Sequence, residues 1–150
     1  MEIKWVDTHC HLQLLNKNLD ENHFKNIEFL VIPGVDVESS SKAKEISSSL
    51  EVESYWSAGL HPHDAKLLDT QRHDLEKLFV EADLIGETGL DFYRNLSTKE
   101  EQRENFLFHL EFSKQLNKPI IIHCRDSFQD TYDLLVEFNN PSSVILHSWT

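Results

Sequence analysis

The segment that decides the fold lies near the N-terminus and reads Val6-Asp7-Thr8-His9-Cys10-His11-Leu12. Successive side chains of an extended strand point to opposite faces, so His9 and His11 point the same way and Cys10 points the other way. Two imidazoles that project side by side from a strand end can hold one divalent cation. The segment therefore predicts a first strand that ends in part of a metal site.

Working outward from this segment, strand-like apolar runs alternate with helix-like stretches, and the connections between them are short. Six strands are predicted, at residues 3–8, 28–33, 54–58, 83–87, 119–123 and 144–147. The run at 119–123 is almost continuously apolar, as expected for a strand that is buried on both faces. The alternation predicts a mainly parallel α/β sheet.

Besides a loop with a short helix in the polar segment 13–27, four helices are predicted between these strands. The first covers 37–50, and the third opens on the capping-box pattern Ser97-x-x-Glu100 and ends near residue 117. The fourth begins at Asp126 or Ser127, either of which can cap a helix N-terminus. The core-facing stripe of the second helix is Leu75, Leu78, Phe79 and Ala82. The core-facing stripe of the fourth is Phe128, Tyr132, Leu135 and Phe138.

The composition indicates one globular domain over residues 1–150, with 39% hydrophobic and 27% charged residues. Fourteen basic against 26 acidic side chains give a net charge of −12. This charge argues against tight non-specific binding of duplex DNA, which depends on Lys and Arg contacts to phosphates. A phosphate-containing substrate is still possible, because bound metal ions can invert the local electric field.

Location can also be predicted from the composition. No apolar run approaches the ~20 residues that a membrane helix needs, so we expect no membrane partner. The N-terminus lacks the basic start and apolar middle of a signal peptide. The two cysteines give no disulfide framework, which favours a reducing, cytoplasmic environment.

Histidine or glutamate recurs at the predicted strand ends, which in parallel α/β folds gather at one edge of the sheet. The residues concerned are His9, His11, His61, Glu87, His123 and His147. Imidazole and carboxylate without thiolate favour zinc, manganese, nickel or magnesium. So many ligands exceed the need of one catalytic zinc, and two metal ions ~3.5–4 Å apart can polarise a phosphoryl oxygen and activate water. Glu87, which has two oxygens, is the natural bridge.

Four ordered motifs together resemble those of the TatD-like deoxyribonuclease family of metal-dependent hydrolases. The motifs are Asp7-Thr8-His9-Cys10-His11-Leu12, Gly59-Leu60-His61-Pro62-His63, Gly86-Glu87-Thr88-Gly89-Leu90-Asp91-Phe92-Tyr93 and Ile122-His123-Cys124-Arg125. The resemblance implies a TIM-type (β/α) barrel that holds two divalent metal ions (Mg, Mn, Zn or Ni). It also implies cleavage of phosphodiester bonds, in DNA or another phosphodiester substrate, by metal-activated water.

By position, the resemblance assigns roles to individual residues. It makes His9 and His11 ligands of the first ion, and His123 and His147 ligands of the second. Glu87 becomes the bridging ligand and the catalytic carboxylate.

Other residues near these motifs have two interpretations each. His61 and His63 contact substrate, or they are solvated loop histidines. Arg125 clamps a phosphate oxygen, or it forms a surface ion pair. Asp7 orients a ligand from behind, or it is simply a buried, hydrogen-bonded aspartate. Three residues, Asp91, Tyr93 and Arg94, line the pocket or cap and anchor the long helix. Cys10 and Cys124 are expected to pack against the surrounding helices.

The barrel implied by the resemblance is incomplete, because about six of its eight strands can be assigned. The family's last motif, which carries an aspartate of the first metal site, has no counterpart before Thr150. We therefore expect that the C-terminal part of the barrel is missing. The sequence is then a fragment of a longer enzyme, one half of a sheet that a second chain completes, or a stable form without catalysis.

Two other functions fit the same residues. One is an amidohydrolase or deacylase of the same superfamily, although such enzymes commonly use a bridging carboxylated lysine where this chain has Glu87. The other is an α/β binding module, truncated and inactive, in which the histidines are incidental.

Overall fold

The structure, a computed structural model, describes residues 3–15, 20–139 and 143–148. Within these residues six parallel strands form one sheet, in which each strand pairs with the next along the chain. The strands are β1 (Trp5–Asp7), β2 (Ile27–Pro33), β3 (Glu53–Ala58), β4 (Leu84–Asp91), β5 (Ile120–Arg125) and β6 (Val144–His147). The predicted parallel α/β sheet is confirmed, together with all six strands.

Four α-helices connect the strands, and short 3₁₀ helices lie at Leu12–Leu14, Glu21–Phe24 and Pro62–Leu67. The α-helices are α1 (Val37–Ser49), α2 (Leu68–Glu81), α3 (Lys99–Leu116) and α4 (Phe128–Phe138). In the part of the chain that the structure describes, no helix is both long enough and apolar enough to cross a lipid bilayer.

The sequential strand order makes this a singly wound sheet. Crossovers between parallel strands are right-handed almost without exception, so connections that always step to the next strand put the helices on one face. The main core lies between the sheet and these helices. The other face carries a small apolar cluster of Val31, Leu84 and Ile121, against which Phe29 and Ile145 pack. All six strands therefore end at one edge, where the predicted site residues lie.

Strand β4 is longer than predicted. It runs to Asp91 rather than ending at 87, and all eight of its residues are buried. Its pairing with β5 shifts between Ile85 and Thr88, so Glu87 lies at an irregularity inside the strand and not at its end. The flanking Gly86 and Gly89 have φ values of +114° and +129°, which favour glycine.

The same glycines allow β4 to approach β5 closely. A Cβ atom at Gly89 would lie 2.1 Å from the carbonyl oxygen of His123, and one at Gly86 would lie 2.5 Å from that of Ile121. Apolar periodicity gives no sign of such an irregularity, which explains why the predicted boundary was wrong.

Two helix predictions were also wrong in detail. The capping box of α3 is formed by Thr98 and Glu101, one residue later than predicted. Ser97 instead donates a hydrogen bond to the carbonyl oxygen of His63. The pattern could not separate the two registers, because adjacent hydroxyl residues are followed by adjacent glutamates.

The predicted inner face of α4 is confirmed at Leu135 and Phe138, which pack against the core, but was wrong at Phe128 and Tyr132. Phe128 and Tyr132 are 49% and 51% exposed, whereas Leu134 and Thr131 are buried. The apolar side chains of α4 lie on more than one side of the helix, so their spacing alone could not identify its buried face. The predicted stripe of α2 is confirmed, with Leu75, Phe79 and Ala82 buried and Leu78 partly buried.

Candidate metal centre

The side chain of Glu87 is the centre of the cluster at the carboxyl edge of the sheet. It is only 2% exposed, and five histidine rings surround its two oxygens. Its Oε2 lies 3.3 Å from Nε2 of His9 and 3.5 Å from Nε2 of His11. Its Oε1 lies 3.1 Å from Nδ1 of His123. The Nε2 atoms of His61 and His147 lie 3.7 Å and 3.8 Å from the same Oε1.

Two overlapping groups of side chains in this cluster have ligand atoms within 4.8 Å of one another. One consists of His9, Glu87 and His147, and the other of His61, Glu87 and His123. The Nε2 of His11 lies beside the first group, 3.1 Å from Nε2 of His9. The structure thus brings together every residue that the sequence proposed as a metal ligand.

His9 and His11 reach Glu87 from the turn after β1, not from the strand itself. The Nδ1 of His11 lies 3.1 Å from the carbonyl oxygen of Pro33, a contact that turns Nε2 of the same ring toward Glu87. The ring of His9 stacks on that of His147 with centroids 3.5 Å apart. Asp7 accepts a hydrogen bond from the backbone N–H of His9 at 3.1 Å and therefore fixes the turn.

The carboxylate of Asp91 contacts the ring nitrogens of two histidines. Its Oδ2 lies 3.0 Å from Nε2 of His123 and 2.8 Å from Nε2 of His63. Its Oδ1 accepts the backbone N–H groups of Tyr93 at 3.1 Å and Arg94 at 2.8 Å. The carboxylate of Asp91 therefore caps the turn after β4 and orients two histidines, whereas the cap of the long helix is Thr98.

His61 and His63 begin the 3₁₀ helix after β3, and neither is a solvated loop side chain. The Nδ1 of His61 accepts a hydrogen bond from the backbone N–H of His63 at 3.2 Å. A neutral His61 therefore carries its proton on Nε2, which lies 3.4 Å from Nδ1 of His123. With Nδ1 already engaged, His61 presents an N–H donor to the cluster rather than a free lone pair.

Helix α3 fixes the two loops that carry these residues, through polar side chains buried on its inner face. Asn105 donates a hydrogen bond to the carbonyl oxygen of Leu60 at 2.7 Å, and Nε2 of His109 accepts the N–H of Leu60 at 3.0 Å. Gln102 accepts the N–H of Asp91 at 2.8 Å and donates to its carbonyl oxygen at 3.2 Å. The backbone on the N-terminal side of His61 and at Asp91 is therefore held by one helix.

Sequence reasoning missed this polar face of α3. A signal was present, because positions 102, 105 and 109 recur at helical spacing within a helix that is otherwise rich in apolar residues.

Burial and close contacts shift the pKa values of the cluster in opposite directions. Burial raises the pKa of Glu87, but the contacts with His11, His123 and His9 outweigh it and hold this pKa far below its usual range. Burial also disfavours the charged form of Asp91, yet bonds from Arg94, His63 and His123 lower its pKa to about 2. Both carboxylates are therefore anionic at neutral pH.

Burial and contacts with carboxylates also shift the pKa values of the histidines. Burial lowers the pKa of His61 to about 3 and also lowers that of His147. Burial opposes the charged form of His123 too, but Glu87 and Asp91 on its two ring nitrogens outweigh burial and raise its pKa. Burial thus favours neutral rings at His61 and His147, whereas two carboxylates favour the charged form of His123.

The donor set fits divalent cations. Imidazole nitrogens and carboxylate oxygens lie 3.1–3.5 Å from one another, an arrangement that a cation between them would stabilise. The buried Nδ1 of His9 has no hydrogen-bond partner among the described residues. Neither cysteine belongs to the cluster: Cys10 donates to the carbonyl oxygen of Val31, and Cys124 is buried near Ser127.

A cavity of about 290 Å³ opens over the cluster. Its lining residues are His11, Val35, His61, His63, Asp64, Glu87, His123 and His147. The guanidinium of Arg125, which follows His123 by two residues, lies over the ring of Tyr93, with 3.9 Å between Cζ and the ring centroid. The ion pairs among residues 3–15, 20–139 and 143–148 do not include Arg125, so the surface ion-pair interpretation was wrong for the described part of the chain.

Comparisons with known proteins point to one family. The model of the family described as TatD related DNase matches residues 6–150. An uncharacterized metal-dependent hydrolase of Buchnera aphidicola (subspecies Baizongia pistaciae) is 33% identical over 97% of this chain and 59% of its own length. The 3'-5' ssDNA/RNA exonuclease TatD of Escherichia coli K12 is 34% identical over 81% of this chain and 48% of its own length.

A solved structure confirms the fold. The crystal structure of YJJV, a TatD homologue from Escherichia coli K12, matches 100% of this chain and 62% of its own chain, with a TM-score of 0.88 at 20% identity. The six strands therefore form the larger part of a TIM-type (β/α) barrel, as predicted. The chain spans about half to three-fifths of the length of the curated relatives named above.

Proposed function

Because the chain belongs to the family of TatD-related DNases, we propose that it hydrolyses phosphodiester bonds of DNA with the help of two divalent metal ions. The observation that carries the proposal is the buried carboxylate of Glu87, with histidine nitrogens 3.1–3.5 Å from both of its oxygens. The name of the Escherichia coli relative, an exonuclease of single-stranded DNA and RNA, supports a single-stranded substrate.

The ligands divide between the two oxygens of Glu87. His9 and His11 lie beside Oε2 and would hold the first ion, and His123 and His147 lie beside Oε1 and would hold the second. Glu87 would bridge the two as the catalytic carboxylate. Such ions, when bound, polarise a phosphoryl oxygen and activate water at neutral pH.

The remaining residues bind and orient the substrate. The N–H on Nε2 of His61 faces the cavity and suits a hydrogen bond to a phosphate oxygen. His63 lines the same cavity and is oriented by Asp91. Arg125, without an ion-pair partner among the described residues, offers its guanidinium as a fork for a phosphate. The comparisons do not support a second chain as a partner, and a cytoplasmic location stays a prediction from the sequence.

The test is hydrolysis of a single-stranded oligonucleotide after the protein is stripped with chelator and then reloaded with Mg²⁺ or Mn²⁺. We expect cleavage only after reloading. His123→Ala and Glu87→Gln should each abolish cleavage and leave the circular dichroism spectrum unchanged. His73→Ala is the matched control, because His73 is exposed on α2 and lies outside the cluster. Cleavage that survives His123→Ala, or that needs no divalent metal, would contradict the proposal.

A further inference from the structure

The backbone places Tyr93 next to the cluster around Glu87. Tyr93 follows Asp91 by two residues, and its N–H donates to Oδ1 of Asp91 at 3.1 Å. Arg125 follows His123 by two residues on the neighbouring strand, and Asp91 and Arg125 are register partners between β4 and β5. Tyr93 and Arg125 therefore lie side by side at the carboxyl edge of the sheet, directly beyond residues of the cluster.

The ring of Tyr93 has one covered face and is otherwise open. The Arg125 guanidinium covers that face at 3.9 Å, and the side chain of Tyr93 is nevertheless 60% exposed. Among the described residues, its hydroxyl has no hydrogen-bond partner. Packing inside the protein therefore does not account for an aromatic ring at this position, and the contact with the guanidinium favours one orientation of the ring.

The positive charge of Arg125 is free to contact a ligand phosphate. The chain carries 26 acidic and 14 basic residues, yet no carboxylate of the described residues pairs with this guanidinium. A cation without a carboxylate partner, beside an exposed aromatic ring, is the combination that proteins use for single-stranded nucleic acids. The ring stacks on a base, and the cation contacts the backbone phosphate.

We propose that Tyr93 and Arg125 form a base-stacking platform at the mouth of the site, on which one unpaired base of a single-stranded nucleic acid rests. This inference relies on the proposed function, because it places the substrate chain across the metal cluster. Arg125 would contact a phosphate next to that base while supporting the ring from behind. A base in a duplex already has both faces stacked, so the platform favours unpaired ends and is tolerant of sequence.

The test compares two fluorescein-labelled single-stranded 12-mers, one with normal bases and one with an abasic residue at every position. Dissociation constants from fluorescence anisotropy in Ca²⁺ provide a readout that does not depend on turnover. Tyr93→Ala should weaken binding of the normal 12-mer by about 5- to 150-fold, the range for loss of one base–aromatic stack. It should leave binding of the abasic 12-mer within twofold, and Tyr93→Phe should retain wild-type affinity for both.

Tyr132→Ala is the matched control. Tyr132 is a similarly exposed tyrosine on α4, where it stacks on Phe128, and its loss should change neither affinity. The platform is contradicted if Tyr93→Ala weakens both 12-mers equally or neither, if Tyr132→Ala has the same effect, or if the wild type binds neither 12-mer.

Cleavage of the normal 12-mer in Mn²⁺, measured in parallel, separates this inference from the proposed function. Base-dependent binding without any cleavage would contradict the proposed function and leave the platform standing. If Tyr93→Ala changes neither the cleavage nor the binding of the normal 12-mer, the platform is contradicted and the proposed function is not.

Discussion

The Nε2 atom of His123 lies 3.0 Å from Oδ2 of Asp91, while the other ring nitrogen of His123 lies 3.1 Å from Glu87. Since Asp91 is ionised, it accepts the Nε2–H of His123 and directs Nδ1 toward the cluster. Carboxylates that orient metal-binding histidines in this way typically contribute 10- to 100-fold to metal affinity.

Asp91→Asn should therefore weaken Mn²⁺ binding by about 10- to 100-fold in isothermal titration calorimetry. The amide keeps an oxygen that can accept the N–H groups of Tyr93 and Arg94, so the turn after β4 should survive. Asp74→Asn, at an exposed position on α2, is the control and should bind Mn²⁺ like the wild type. An affinity within twofold of wild type for folded Asp91→Asn would show that His123 needs no support from Asp91.

The buried His109 predicts a pH dependence of stability. Burial lowers its pKa to about 4, whereas an unfolded histidine has a pKa near ~6.5. Between these values the unfolded chain binds more protons, so the free energy of unfolding should fall as pH falls, by up to about 1.4 kcal/mol per pH unit. Above pH ~6.5, His109 is neutral in both states and contributes no pH dependence.

Urea unfolding between pH 7.5 and pH 5 measures this contribution as the difference between the wild type and His109→Gln. The stability advantage of the wild type over the variant should shrink toward low pH, because glutamine does not titrate. The exposed His73→Gln should leave the pH dependence unchanged. Parallel curves for the wild type and His109→Gln would mean that His109 is not held neutral in the fold.

Lys118 stabilises the end of α2. Its Nζ donates to the carbonyl oxygens of Phe79, Val80 and Ala82 at 2.8, 2.7 and 2.5 Å, which would otherwise lack partners at a helix C-terminus. Lys118→Met should lower the free energy of unfolding by about 2 kcal/mol in urea titrations, because hydrogen bonds from a charged donor are lost.

The control for Lys118 is Lys77→Met on the same helix. Lys77 pairs with Asp74 at the exposed surface, and such pairs contribute about 0–1 kcal/mol. Equal effects of the two substitutions would indicate that the carbonyl contacts of Lys118 add nothing to stability.

The sequence predicts that His9, Glu87 and His123 lie close together in space, because their proximity follows from one general rule. The carboxyl ends of parallel strands share an edge, so residues far apart along the chain meet there once the strands are assigned. Apolar runs are enough to assign those strands, and all six were found within a few residues of their observed bounds.

The details that the sequence did not predict depend on contacts between elements. Glu87 lies within β4 because two glycines let this strand approach β5, and neither the approach nor the register shift follows from a local pattern. The double role of Asp91 needed the relative placement of His63, His123 and the following turn. The exposed face of α4 is likewise set by its neighbours in the fold.

The most direct measurement for the central claim is the anomalous scattering of Mn²⁺ in crystals of this chain soaked in manganese. The claim predicts anomalous peaks beside both carboxylate oxygens of Glu87, within ligand distance of His9, His11, His123 and His147, and their loss in Glu87→Gln crystals. Peaks elsewhere in the molecule, or none at Glu87 at saturating Mn²⁺, would contradict it.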